Sequence, residues 1–297
     1  MKLGFRDLRL FEGDWDALFA FAAEVAAAEV QIDLPPEADW EKLKALIDRT
    51  GIALSSITAM STRLLGPDAD AAREDALRVE RAIDAAAALG APCVSQFAGN
   101  DPGRSFDENI ATLREVFSPL AARAEAAGVS LVFENCPLVA GQPPVVQNLA
   151  YCPAAWDAMF KAVPSPAIAL ELDTAHLPWL GIDILRCIRD YADRIRHVHL
   201  KDCIIDAEAR QHYGRLDSRF YRYGVPGDGG IDFAAVVDAL AATGYDGALT
   251  LDLRPTTRET IMQGMVHMQQ IVTRHLCSSP STPGIGGRRA LPRGWHR

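Results

Sequence analysis

No stretch of this 297-residue chain approaches the roughly 18 consecutive apolar residues of a membrane span. The opening MKLGFRDLRLFEG carries Asp7 and Glu12 and no apolar centre, so it does not read as a secretory signal, and the cytoplasm is the expected location. The six cysteines, at 93, 136, 152, 187, 203 and 277, form no CxxC pair; in a reducing compartment they read as free thiols, several of them small buried residues. Positive charge is scarce in the body of the chain. The net charge is −9, and setting aside the +4 of Arg288, Arg289, Arg293 and Arg297, which stand in residues 277–297 without an acid, leaves residues 1–276 at −13. Such a body argues against nucleic acid as the main partner, because phosphate binding depends on a basic surface. No glycine-rich phosphate turn follows the first apolar run, where Phe5-Arg6-Asp7-Leu8 stands. A doubly wound dinucleotide-binding sheet would want one there.

What is present is alternation. Apolar strand-like runs at 4–5, 29–34, 52–58, 92–99, 129–137, 167–176, 194–202 and 247–255 are separated by helical stretches at 14–28, 37–50, 68–89, 106–127, 153–163, 182–192 and 232–243, with a last helix at 257–275. Gly51, Gly90, Gly128 and Gly244 stand where helices stop. Strand–helix repetition with short apolar strands implies parallel pairing and right-handed crossovers, and eight such units close into a (β/α)₈ barrel of about 250 residues. The fold class is therefore α/β, a single TIM barrel over residues 1–276. Two segments stand outside the repeat. Residues 203–230 form a 28-residue connection with Tyr213, Phe220, Tyr221 and Tyr223 beside Arg215, Arg219 and Arg222, returning through Pro226-Gly227-Asp228-Gly229-Gly230. Connections of that length are functional lids or disordered. Residues 277–297, rich in Ser, Pro, Gly and Arg, read as a disordered basic tail.

In a parallel barrel, chemistry gathers at the C-terminal ends of the strands. There the sequence sets Glu134-Asn135, then Asp173-Thr174-Ala175-His176, then His197, His199 and Lys201 of HVHLKD, then Asp252 with Arg254 two residues on. The period-two pattern of HVHLKD puts His197, His199 and Lys201 on one face. One carboxylate at a strand end is often a cap or loop residue, and one histidine in a strand is often a hydrogen-bonded core residue. Four such positions on four neighbouring apolar strands are different, because a carboxylate there is costly unless paired or bound to a cation. Glu134, Asp173, Asp252 and His199 thus form a candidate site for a divalent metal, with a mixed O/N donor set that suits Mn²⁺, Mg²⁺, Co²⁺ or Zn²⁺. His197 reads as a supporting core residue, and Lys201 either holds a substrate oxygen or pairs with a rim acid.

The segments FAGNDPGRSFDENI (97–110), VFENCP (132–137), NLAYCPAAWDAMFKAV (148–163), LELDTAH (170–176), RHVHLKD (196–202), YGVPGDGGIDF (223–233) and GYDGALTLDLRP (244–255) resemble the sugar phosphate isomerase/epimerase family, whose members have a xylose isomerase-like barrel. The resemblance covers about residues 1–275. It implies one divalent ion, Mn²⁺ foremost, held by Glu134, Asp173, His199 and the acid of the eighth strand, and a substrate-binding role for His176. Two positions depart from the family's pattern: Asp252 stands where Glu is usual, and Gln31 where many relatives carry an acid.

A metal chelated by a carbonyl and a neighbouring hydroxyl acidifies the C–H between them by stabilising the enediolate, and Glu134 and Asp252 could remove and return that proton as catalytic acid/base groups. Return to the opposite face is epimerisation, return to the neighbouring carbon is isomerisation, and loss of a β-leaving group is elimination. The expected function is a metal-dependent isomerase or epimerase of a sugar or sugar derivative, with His176, Lys201 and Arg254 as substrate contacts. The competing readings are a lyase acting on an inosose or a 3-keto-glycoside, a non-catalytic sugar-binding protein, and the superfamily's apurinic-site endonuclease branch, which the seven histidines and acidic body disfavour. The expected partner is a small carbohydrate, with no nucleic acid and no membrane; a homo-oligomer is expected by analogy alone.

Overall fold

A computed structural model describes residues 1–141, 144–215 and 217–278, with side chains as far as residue 275. Short runs rich in β-branched and other apolar residues, each bounded by a helix stop, become eight strands: β1 Lys2–Arg6, β2 Glu29–Asp33, β3 Ala53–Thr58, β4 Cys93–Gln96, β5 Ser130–Glu134, β6 Ile168–Asp173, β7 Ile195–Leu200 and β8 Ala248–Leu251. They pair in parallel and close in the order β1-β8-β7-β6-β5-β4-β3-β2. The helices that follow them are α1 Trp15–Glu24, α2 Trp40–Thr50, α3 Ala69–Leu89, α4 Phe106–Ala127, α5 Pro153–Ala162, α6 Ile184–Asp190, α7 Phe233–Ala242 and α8 Arg258–Ser278. The eightfold alternation expected from the sequence is the observed one. The expected tail falls outside the described residues from 279 onward, its first two residues closing α8.

Local chemistry sets the element ends. Asp68 caps α3 by accepting from the amides of Asp70 and Ala71, and Ser105 with Glu108 forms a capping box on α4. Gly51, Gly90 and Gly128 end α2, α3 and α4 in the left-handed region, which a side chain would disfavour. Between strands and helices lies one continuous apolar shell, in which Phe117 of α4 meets Phe133 of β5 edge-on at 4.9 Å. The barrel lumen, by contrast, is polar. Gln31, Ser56, Ser95, Glu171, His197 and Thr250 are all buried and point chemistry toward the axis.

The described residues of the long connection after β7 form regular elements. Residues Asp202–Ile205 and Tyr221–Gly224 pair as an antiparallel hairpin, with a short helix at Ala207–Tyr213 and a 3₁₀ turn at Ser218–Phe220 between them. Phe220 is buried, and Tyr221 stacks on Trp179 at 4.5 Å. One side chain fixes where the connection returns. Asp202 Oδ2 accepts from the amides of Gly227 (3.0 Å) and Gly229 (2.8 Å), and its Oδ1 from Cys203 (2.8 Å) and Ile231 (3.2 Å). Gly229 has no alternative: a Cβ there would lie 2.3 Å from Asp202 Oδ1. Asp202→Ala strands these amides. It is expected to cost about 1–3 kcal/mol of stability, read as a lower denaturant midpoint, and to make residues 203–230 the first protease cleavage site. An unchanged midpoint and cleavage pattern would show that Asp202 does not hold the loop.

Candidate active site

Register determines which side chains meet. Asp173 of β6 pairs with His199 of β7, and His199 in turn with Thr250 of β8, two residues before Asp252. Glu134 ends β5 opposite Glu171. Each strand therefore delivers one charged side chain to the same rim. One donor atom from each of Glu134, Asp173, His199 and Asp252 lies within 4.8 Å of the others, and all four residues are buried. The four positions singled out in the sequence are brought together.

His199 divides its two nitrogens between lumen and rim. Nε2 lies 2.8 Å from Gln31 Oε1 and 3.1 Å from Glu171 Oε1. Gln31 is itself fixed, its Nε2 donating to Ser95 (2.8 Å), Thr58 (3.2 Å) and Glu171 (3.3 Å). Nδ1 has no hydrogen-bond partner among the described residues and faces Glu134 Oε1 at 3.8 Å and the Oδ2 atoms of Asp173 and Asp252 at 3.9 Å each. Those gaps are too long for hydrogen bonds. They suit ligands of one ion, because two donors each about 2.0–2.2 Å from a metal stand at most about 4.4 Å apart. A bare, oriented imidazole nitrogen opposite three carboxylate oxygens fits a divalent ion. The Gln31 contact is the outer partner that metal-binding histidines use.

Cations already in the chain contend for the same oxygens. Lys201 Nζ lies 2.7 Å from Asp173 Oδ2 and 2.6 Å from Asp252 Oδ2, and Arg6 Nη1 3.4 Å from Asp252 Oδ1. Of the two readings open for Lys201, the rim-acid pairing is the one seen. Burial would raise the Asp252 carboxyl, but Lys201, Arg6 and His199 outweigh it and hold it far below the usual range. Glu134 is likewise held low despite burial, by His176 and His199. Burial would lower the His199 imidazolium, yet Glu171, Glu134 and Asp252 hold it up to about 10. His176 is also raised to about 10, with Asp173 prevailing over burial.

His176 opens a short helix, His176–Leu180, rather than ending the strand as the apolar run suggested. Its Nδ1 lies 3.0 Å from Tyr223 Oη, and its Nε2 lies 3.4 Å from both Glu134 Oε1 and Asp173 Oδ2. His197 sits below as expected, fully buried, its Nε2 3.1 Å from Thr250 Oγ1. Arg254, expected as a substrate contact, is exposed and stands three residues past the end of β8 at Leu251. Arg6, at the end of β1, is the arginine that reaches the cluster, through Asp252. Sequence reasoning also passed over Glu171, although it stands two residues before Asp173 on the same strand face. Beside the site, a cavity of about 200 Å³ is lined by Pro137, Val139, Tyr151, Trp179, Arg215 and Tyr221. A larger one of about 600 Å³, lined by Ile204, Asp228 and Asp232, holds none of the cluster.

A family model for the xylose isomerase-like TIM barrel matches residues 2–271. Inosose dehydratase of Geobacillus thermodenitrificans is 36% identical over 95 residues, which are 31% of this chain and 32% of that one. The chain spans less than half the length of the curated relatives it matches first. Among solved structures, 3-keto-D-glucoside 4-epimerase from E. coli superposes with a TM-score of 0.73 at 18% identity, covering 92% of this chain and 99% of that one. L-ribulose 3-epimerase does so at 0.72 and 19%, covering 95% and 99%.

The buried charges predict how the metal-free protein responds to pH. His176 and His199 are raised from 6.5 to about 10, so their contribution is complete below 6.5 and is lost as pH rises through about 10. Glu171 is lowered from 4.5 to about 2, with His199 and His197 prevailing over burial, so its contribution is present above 4.5 and lost as pH falls through about 2. Melting temperatures in chelator should therefore plateau between 4.5 and 6.5 and fall on both sides. A flat profile from 6.5 to 10 would contradict the proposed pairing of the imidazoles.

Proposed function

The chain belongs to the xylose isomerase-like TIM barrel family, and on that premise we propose that it is a divalent-metal-dependent isomerase or epimerase of a sugar or sugar derivative. The observation that carries this reading is the bare Nδ1 of His199 facing three carboxylates. Glu134, Asp173, His199 and Asp252 hold the ion in this proposal, with Mn²⁺ assigned first and Mg²⁺, Co²⁺ or Zn²⁺ as alternatives. Bound there, the ion supplies Lewis-acid polarisation of a carbonyl and its neighbouring hydroxyl, which acidifies the C–H between them.

The protein's own groups do the rest. Glu134, whose Oε1 lies 3.4 Å from His176 Nε2 and 3.8 Å from His199 Nδ1, is the base that takes the proton. Asp252 is the second carboxylate, one methylene shorter than the glutamate the family resemblance implies. Lys201 reaches both Asp173 and Asp252, so a divalent ion that shares those carboxylates frees its ammonium to hold a substrate oxygen. His176, with Nε2 unpartnered and Nδ1 fixed by Tyr223, contacts the substrate from the β6 side. The rim's dryness strengthens each of these interactions.

A second reading, a lyase, has support of its own. The matched curated relatives bear the name inosose dehydratase. Asp252 is also tied to two cations, which weakens it as the partner base that proton return to the opposite face requires. Elimination needs one base and one proton donor for the departing hydroxyl, and Glu134 with Lys201 provides that pair.

Incubation of ketoses, inososes and 3-keto-glycosides with the Mn²⁺-loaded protein in D₂O separates the two. Deuterium in an intact sugar supports isomerisation or epimerisation, and an unsaturated product supports elimination. Glu134→Gln is expected to lower either rate by about 10²–10⁴-fold; full turnover in that variant would remove Glu134 from the mechanism. Gln31→Ala, which leaves every donor in place, should weaken metal binding by about 10–100-fold as read by dialysis and metal analysis. Unchanged affinity would mean that the His199 contact does not orient a ligand.

A further inference from the structure

Beside the four-residue cluster lies a group of different chemistry. Cys136 follows Glu134 by two residues, just past the end of β5. A carboxylate oxygen of Glu134, the sulfur of Cys136 and a ring nitrogen of His176 lie within 4.8 Å of one another. The positions are built rather than incidental. Asn148 Nδ2 donates to the carbonyls of Glu134 (2.8 Å) and Cys136 (2.7 Å). The Asn135 side chain holds the Asp173 backbone twice, Nδ2 donating to its carbonyl at 3.1 Å and Oδ1 accepting from its amide at 2.7 Å. Tyr223 Oη fixes the His176 ring through Nδ1, as an outer partner fixes a metal-binding histidine. His176 is 2% exposed, and its Nε2 has no hydrogen-bond partner among the described residues.

We propose that Glu134, Cys136 and His176 form a second cation site, sharing Glu134 with the first and selective for thiophilic ions of the Zn²⁺ and Cd²⁺ class. The selectivity follows from the donors. The first cluster offers three carboxylates and an imidazole, a set open to hard ions, whereas this one includes a cysteine sulfur, a donor that Zn²⁺ and Cd²⁺ take far better than Mg²⁺ or Mn²⁺. An ion there occupies both Glu134 and His176, so thiophilic ions inhibit a Mn²⁺-loaded enzyme. That consequence rests on the proposed function; the ion site itself does not.

The Mn²⁺-loaded protein is titrated with Cd²⁺ while the ultraviolet thiolate-to-cadmium charge-transfer band and the content of both metals are followed. The wild type is expected to take up one Cd²⁺ per chain with the band while keeping its Mn²⁺. Cys136→Ser, conservative at a half-buried position, should lose the band and bind Cd²⁺ at least about 10–100-fold more weakly, the cost of losing even an outer partner. Retention of Mn²⁺ by this variant shows that it is folded. His176→Gln should weaken Cd²⁺ binding while leaving the thiol in place. Persistence of the band in Cys136→Ser would assign it to another thiol and overturn the proposal. So would one-for-one replacement of Mn²⁺ by Cd²⁺ without a band. Because none of these readouts is turnover, they stand even where the proposed reaction fails.

Discussion

Four carboxylates, Glu134, Glu171, Asp173 and Asp252, stand inside one barrel mouth, none more than 3% exposed. Each would be untenable alone in so dry a place. The rest of the site follows from having to balance them. Lys201 bridges Asp173 and Asp252, Arg6 supports Asp252 from β1, and the two imidazoles His176 and His199 are held toward their charged forms. The parallel barrel is what concentrates these charges, because it turns the C-terminal ends of all its strands to one rim. A divalent ion is then one more way of meeting a demand the fold has already created. It takes the place of protons on imidazole nitrogen, so metal affinity and proton release are coupled.

His199 is where lumen and rim are joined. Its Nε2 belongs to a buried network of Gln31, Glu171, Ser95 and Thr58, and its Nδ1 to the carboxylates above. That division explains why an amide can stand at position 31. Gln31 presents its oxygen to His199 and its nitrogen to Glu171 and Ser95, so one side chain accepts from the imidazole and donates to the carboxylate. An acid at 31 would do the first and oppose the second, setting a fifth negative charge against Glu171. The neutral residue orients the histidine without adding to the charge already to be balanced. Amide orientation is assigned from these contacts, and the network is consistent only with the oxygen toward His199.

Much of this was legible in the chain because barrels repeat. Apolar runs separated by glycine-stopped amphipathic stretches give the eight units in order. Strand ends then mark Glu134, Asp173, His199 and Asp252 by position alone. What escaped did so for identifiable reasons. Arg6 ends a strand whose apolar signal is only Leu3, Gly4 and Phe5, too brief to flag its rim residue. Glu171 is masked by the more familiar acid two residues later, although both share a face. Cys136 and Tyr223 act from loop and hairpin positions that no strand periodicity marks. Arg254 lies in the loop beyond β8, which ends at Leu251, so strand parity says nothing of where its side chain stands.

The long connection after β7 ties the site's chemistry to its cover. At the end of HVHLKD, Lys201 turns inward to two carboxylates, while Asp202 holds the amides of the glycine-rich return. Adjacent residues therefore fix the central cation and the frame of the hairpin above it. The hairpin answers by placing the Tyr223 ring 5.1 Å from Lys201 Nζ and its hydroxyl on His176. A cation over an aromatic face gains most where water is excluded, and the carboxylates beneath keep their strength for the same reason. The segment that looked irregular in the sequence thus packs directly on two rim side chains. Loops carried on a rigid scaffold are where function gathers, and a change in this hairpin reaches His176 and Lys201 directly through Tyr223.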